Sequence, residues 1–149
     1  MNRPGVYIAH PVTSYGTARE RTCLARIAEL LPGVELVNPA GMFDDVAAWL
    51  SDWPRLLPWL DGLVVFADDG STIGAGCWRE LGDAWAAWLP VAVLHRRQLH
   101  EIAAVHMAET PWRSPARLAT VEPGRRYGRG EYEGAVLFRA ERRVACPTS

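Results

Sequence analysis

Lysine is missing from this chain: arginine supplies all sixteen basic residues, against seventeen acidic ones. The resulting formal charge of −1 gives no general pull toward nucleic acid or an anionic membrane. Cysteine is scarce. Cys23, Cys77 and Cys146 are odd in number and far apart, with no C-x-x-C or Cys/His pairing at metal-ligand spacing. Long apolar runs are lacking too, since none approaches the roughly 18 residues of a membrane span. Pro4-Gly5 leads into a strand so early that no signal peptide fits ahead of it. Internal repeats and low-complexity segments are also absent. The expectation is a reduced, cytoplasmic protein that binds no metal, no membrane and no nucleic-acid polymer.

What is present is an ordinary apolar content, 49% of 149 residues, enough for one domain with a real core. Val6-Tyr7-Ile8-Ala9 reads as a first strand, ended by His10-Pro11. Thr17-Ala18-Arg19-Glu20 has the T-x-x-E form of a capping box and opens a helix with Cys23, Leu24, Ile27, Leu30 and Leu31 on its apolar face. Pro32-Gly33 stops it, and Val34 to Val37 is a second strand closed by Asn38-Pro39. Strand, capped helix and strand make a βαβ unit, and the class is therefore α/β. From Asp44 the pattern is helical again, with Val46, Trp49, Leu50 and Trp53 on one side, until Pro54 interrupts; two short helices or one kinked helix are expected.

Residues 60–83, LDGLVVFADDGSTIGAGCWRELGD, organise the rest. Leu63 to Ala67 reads as a strand buried on both faces of a parallel sheet. Gly70, Gly74 and Gly76 then lead into a helix from about Ala75 to Trp88, and Pro90 to Leu94 is a fourth strand. A flavodoxin-like parallel sheet of order 2-1-3-4, with helices on both faces and room for an extra strand, has its switch point between the first and third strands. Ligands then bind above those carboxyl ends, among HPVTSYGT and DDGSTIGAG, where a helix N-terminus suits a phosphate. Residues 1–149 read as one domain, with a core over 1–95 and an extension over 96–149 that packs on it. In the extension, Gln98 to Glu109 fits a short helix, Arg117 to Glu122 and Gly134 to Ala140 resemble strands, and PGRRYGRGEYEG lies between them. Trp112 to Arg143 holds eight arginines against four glutamates, which reads as a solvated basic face or as a protein contact surface.

The pairing of VYIAHP with DGLVVFADDGSTIGAGCWRELGDA resembles the nucleoside 2-deoxyribosyltransferase-like superfamily, which includes nucleotide N-glycosidases. The resemblance covers about residues 5–95. It implies Glu80 as nucleophile, Tyr7 as the strand tyrosine that touches it, Asp52 as the second carboxylate, and Thr72 as a hydroxyl that binds sugar or phosphate. Two departures stand out: Cys77-Trp78-Arg79 lengthens the interval between G-x-G and the glutamate, and His10 stands where glycine is common. CWREL also resembles the C-x-x-E-L of TIR domains, in which a glutamate cleaves NAD. Both relatives break an N-glycosidic bond, and the first implies a homo-oligomer, a dimer, that takes a nucleoside or nucleotide and needs no cofactor.

Such cleavage passes through an oxocarbenium-like state, which a carboxylate beneath the anomeric carbon stabilises or traps. Glu80 supplies that charge, and water or a second base completes hydrolysis or transfer. Asp52, Asp68, Asp69 and His10 are candidate proton donors to the leaving base. His10, Pro11, Tyr15, Gly16, Asp69, Ser71, Thr72, Gly74 and Gly76 line the expected substrate site. Each has a plainer reading: Tyr7 as a strand aromatic, His10 as a satisfied turn histidine, Asp52 as a solvated helix residue, and the tryptophans as core. A module that binds a nucleotide without turning it over is the reading from outside enzymology.

Overall fold

A computed structural model describes residues 3–69, 73–102 and 126–127. Five strands form one sheet: β1 (Gly5–Ala9), β2 (Glu35–Val37), β3 (Gly62–Val65), β5 (Val91–His95) and β6 (Gln98–Ile102), in the order β2-β1-β3-β5-β6. The first four are mutually parallel, with Tyr7 opposite Val37 and Leu63, and Leu63 opposite Val91. The expected order 2-1-3-4 is thus present, and β6 adds an antiparallel edge. A two-residue strand, β4 (Ile73–Gly74), lies apart and pairs with β7 (Arg126–Tyr127). Three helices, α1 (Ala18–Leu30), α2 (Val46–Leu56) and α3 (Ala75–Ala86), complete the layers. No described helix is long and apolar enough to cross a membrane.

Side chains along a strand alternate between its faces, and that alternation sorts the core into two. Val6, Ile8, Val64 and Phe66 pack with Cys23 and Ile27 of α1, whereas Tyr7, Ala9, Leu63 and Val65 pack with Trp53 of α2 and Trp78, Leu81 and Trp85 of α3. Both faces are covered, which is why β1 and β3 are buried along nearly their whole length.

Two expectations need correction. Gln98 to Ile102 is a strand, not the start of a helix; Arg96 and Arg97 both adopt positive φ and close a two-residue hairpin that sets His95 opposite Gln98. Asn-Gly ordinarily marks such a turn, so an Arg-Arg turn carries no sequence signal; the Arg97 carbonyl is tied down by Arg26 Nε at 2.8 Å. The segment expected as an open glycine loop contains β4. Residues 103–109, the two strands expected within 117–140 and most of the arginine-rich stretch lie outside the described residues.

Helix ends behave as their side chains dictate. Thr17 Oγ1 accepts the Glu20 N–H at 3.2 Å, and Asp45 accepts the Ala48 N–H at 2.7 Å. Pro54 sits in the last turn of α2, which continues through it to Leu56 and a 3₁₀ turn over Leu57–Trp59. At the end of α3, Trp88 N–H donates to Trp85 O and Leu89 N–H to Ala84 O, both at 3.0 Å, a Schellman closure. That closure puts Trp88 at φ 61° with 73% of its surface exposed. A residue with a β-carbon is strained there while its ring gains little burial. Trp88→Gly is expected to stabilise the protein by about 1 kcal/mol, read as a higher urea midpoint with an unchanged slope.

Candidate active site

β1 and β3 end side by side, and α3 begins just beyond them. Glu80 lies in the second turn of α3 and points inward, only 4% exposed. Its Oε2 accepts hydrogen bonds from the Tyr7 hydroxyl of β1 and, at 3.1 Å, from Trp49 Nε1 of α2. Tyr7 reaches Glu80 because odd-numbered positions of β1 face the α2 and α3 layer. Burial pushes the Glu80 carboxyl up to about 7, with the two hydrogen bonds pulling it back and the nearby Asp83 charge adding to the rise. Burial, the charge of Glu80 and the hydrogen bond to it push the Tyr7 phenol far above its ordinary range. Tyr7 therefore stays a neutral donor at every working pH.

His10 belongs to a different group. Three residues from Tyr7, it takes the opposite parity and faces α1, stacked on Phe66 with centroids 4.6 Å apart. Nδ1 lies 2.7 Å from the Ile8 carbonyl, an acceptor only, and Nε2 lies 2.8 Å from Glu20 Oε2. Both ring nitrogens are thus engaged within the protein, and His10 is held as the satisfied turn histidine rather than as an acid in the Glu80 group. Glu20 also accepts the Gly16 N–H at 3.1 Å through Oε1. Although burial raises it, the bonds from His10 and Gly16 hold the Glu20 carboxyl below its ordinary value.

Asp52 is exposed on α2 and does not join Glu80; helical spacing turns Trp49 and Trp53 toward α3 instead. Pro11 is buried beneath the loop, Gly16 is exposed at φ 74°, and Tyr15 meets the edge of His10 at 4.9 Å. Burial, then the neighbouring Cys77, Glu80 and Glu20, raise the Tyr15 phenol. Asp68 accepts from Thr13 at 3.3 Å, and exposed Asp69 lies 3.8 Å from Arg19 Nε, which also donates to Ala67 O at 2.7 Å. Gly74 caps α3 and faces open space; Gly76 faces the Trp49 ring. Ser71 and Thr72 lie outside the described residues.

Two contributors escaped the sequence reading. Trp49 reads from sequence as an apolar helix position or a ring that stacks a base, although a half-buried indole N–H calls for an acceptor. Glu20 was absorbed into the capping box, yet its carboxylate serves His10 and Gly16. Among the described residues, no group of three or more His, Cys, Asp or Glu side chains is arranged to hold a metal. An open cleft of about 380 Å³ lined by Arg3, Glu35, Trp59 and Asp61 lies at the amino ends of the strands, away from Glu80.

No family model and no curated protein matches the chain. Among solved structures, it is similar to a conserved protein from Enterococcus faecalis V583, at 25% identity and a TM-score of 0.50, over 63% of this chain. The match spans 64% of that protein, less than two thirds of its length, and the likeness is one of a shared α/β architecture.

Proposed function

We propose that this protein cleaves the N-glycosidic bond of a nucleoside or nucleoside 5′-monophosphate, with Glu80 as nucleophile. The observation that supports this most is a buried carboxylate near the switch point, oriented by a tyrosine hydroxyl and an indole N–H. Attack by a Glu80 oxygen on the anomeric carbon breaks the bond to the base, whose nitrogen takes the bonding pair and a proton from solvent. Water then attacks the glycosyl ester, releasing sugar and restoring the carboxylate; a second base in place of water gives transfer. Tyr7 positions the carboxylate and stays protonated throughout. The site is read as acting within a homodimer and without a cofactor.

Only ionised Glu80 can attack, so the rate is expected to rise through pH 7 and level off above it, following a carboxyl pushed up to about 7. The test is incubation with a panel of nucleosides, nucleoside 5′-monophosphates and NAD, with free base resolved by chromatography across pH 5 to 9. Release of a nucleobase with that ascending limb supports the reading. Release of nicotinamide alone would replace it with NAD hydrolysis, and no release from any of them would reject it.

A further inference from the structure

Glu80 is hydrogen-bonded through one oxygen. Tyr7 and Trp49 both donate to Oε2, and among the described residues no hydrogen bond reaches Oε1. A carboxylate held this way is asymmetric: the twice-bonded oxygen is pinned, while the lone pairs of the other stay available. We propose that Trp49 is a positioning residue, its indole N–H acting beside the Tyr7 hydroxyl to pin Oε2 and favour the ionised carboxylate, so that Oε1 is the oxygen that meets substrate. The inference rests on Glu80 being the reacting carboxylate, and Trp49 acts through Glu80 rather than on substrate.

The way α2 is fastened to α3 supports this role. A second indole-to-carboxylate bond, Trp53 Nε1 to Asp83 Oδ2 at 2.9 Å, lies four residues along α2 and three along α3 from the first. Both bonds therefore join one face of each helix. Trp53 is buried and packs its ring on Tyr7 with centroids 4.8 Å apart, so α2 carries one donor to Oε2 and braces the other. The Trp49 ring lies over Gly76, 3.8 Å from where a β-carbon would stand. Tyr7 on β1, Tyr15 on the loop after it, and Cys77 and Asp83 on α3 are the titratable groups around Glu80, and Asp83 lies 3.7 Å from Arg79. Against burial and the Asp83 charge, the Tyr7 and Trp49 hydrogen bonds are what favour the charged form.

Trp49→Phe keeps a ring and loses the N–H. In a carbon-13 NMR titration, the Glu80 carboxyl is expected to have its midpoint near 7 in the parent and about one pH unit higher in the variant. Base release at pH 7 should fall about fivefold and recover by pH 9. Equal midpoints, or a rate lowered by the same factor at every pH, would overturn the proposal. Should the variant fail to fold, nitrogen-15 indole spectra of the parent and Glu80→Gln decide. An indole resonance that titrates with Glu80 and stops titrating in the glutamine variant supports the clamp, and the absence of any such resonance overturns it. Neither titration needs a substrate, so a shifted midpoint without base release from any nucleotide supports the clamp while rejecting the N-glycosidase reading.

Discussion

Glu80→Gln is expected to lose base-releasing activity by at least about a thousandfold and, above pH 7, to be more stable than the parent. The loss follows from removing the proposed nucleophile, since an amide oxygen neither carries the charge nor forms the ester. The gain follows from the same burial. A carboxyl whose folded value is raised binds its proton more tightly in the native state than in the unfolded chain, so native stability falls as pH rises between the two values. For Glu80 those are an ordinary 4.5 and about 7. The interval corresponds to a cost of about 3 kcal/mol once the group is ionised. Glutamine avoids that cost and can place its carbonyl oxygen where Oε2 now accepts both donors. Thermal unfolding at pH 8.5 should therefore put the variant roughly 6–12 °C above the parent, and at pH 4 the two should nearly coincide. A constant difference across that range would mean that the carboxylate is not penalised by burial, and the proposal of a poised nucleophile would lose its physical basis.

Much of this was legible because local signals agreed with one another. The T-x-x-E cap, the Pro32-Gly33 stop and the apolar run at 63–67 each point to the element that forms, and together they specify a parallel sheet with its switch point between β1 and β3. The approach of Tyr7 to Glu80 came from a resemblance, and the period of two along β1 independently turns Tyr7 toward the α3 side. The same period holds for His10, whose odd offset from Tyr7 sends it to the other face. Asp52 is turned outward for the matching reason on a helix. Trp49 and Trp53, four apart, share the face toward α3 through their hydrogen bonds, and Asp52 stays exposed. The β5–β6 hairpin was illegible because its turn residues are arginines, which say nothing in sequence about positive φ. Trp49 could not be singled out as a donor from spacing alone, since spacing gives a face but no partner.

Glu20→Ala is expected to cost about 3–5 kcal/mol at pH 7, more than a cap substitution, because it strips a buried pair rather than a helix end. The carboxylate fills two places at once, accepting the Gly16 N–H with one oxygen and facing His10 Nε2 with the other. Alanine leaves the exposed Gly16 N–H to water but the His10 nitrogen without its partner, still sealed between Phe66 and Tyr15. The sign with pH is the reverse of that at Glu80. Glu20 is held below its ordinary 4.5 in the fold, so its contribution is present above that value and is lost as pH falls through the lowered one. Urea unfolding should show the gap between parent and variant wide at pH 7 and narrowing once the pH falls through the lowered Glu20 value, where the parent loses the same interaction by protonation. His10→Phe, which keeps the stack on Phe66, completes a double-mutant cycle, and a coupling of about 2 kcal/mol or more is expected. A coupling near zero would mean that His10 and Glu20 contribute separately. With coupling, Glu20→Ala should also slow the proposed base release, because the loop it anchors carries Tyr15, whose phenol feels the Glu80 charge, and that loss should persist at every pH, unlike the one expected for Trp49→Phe.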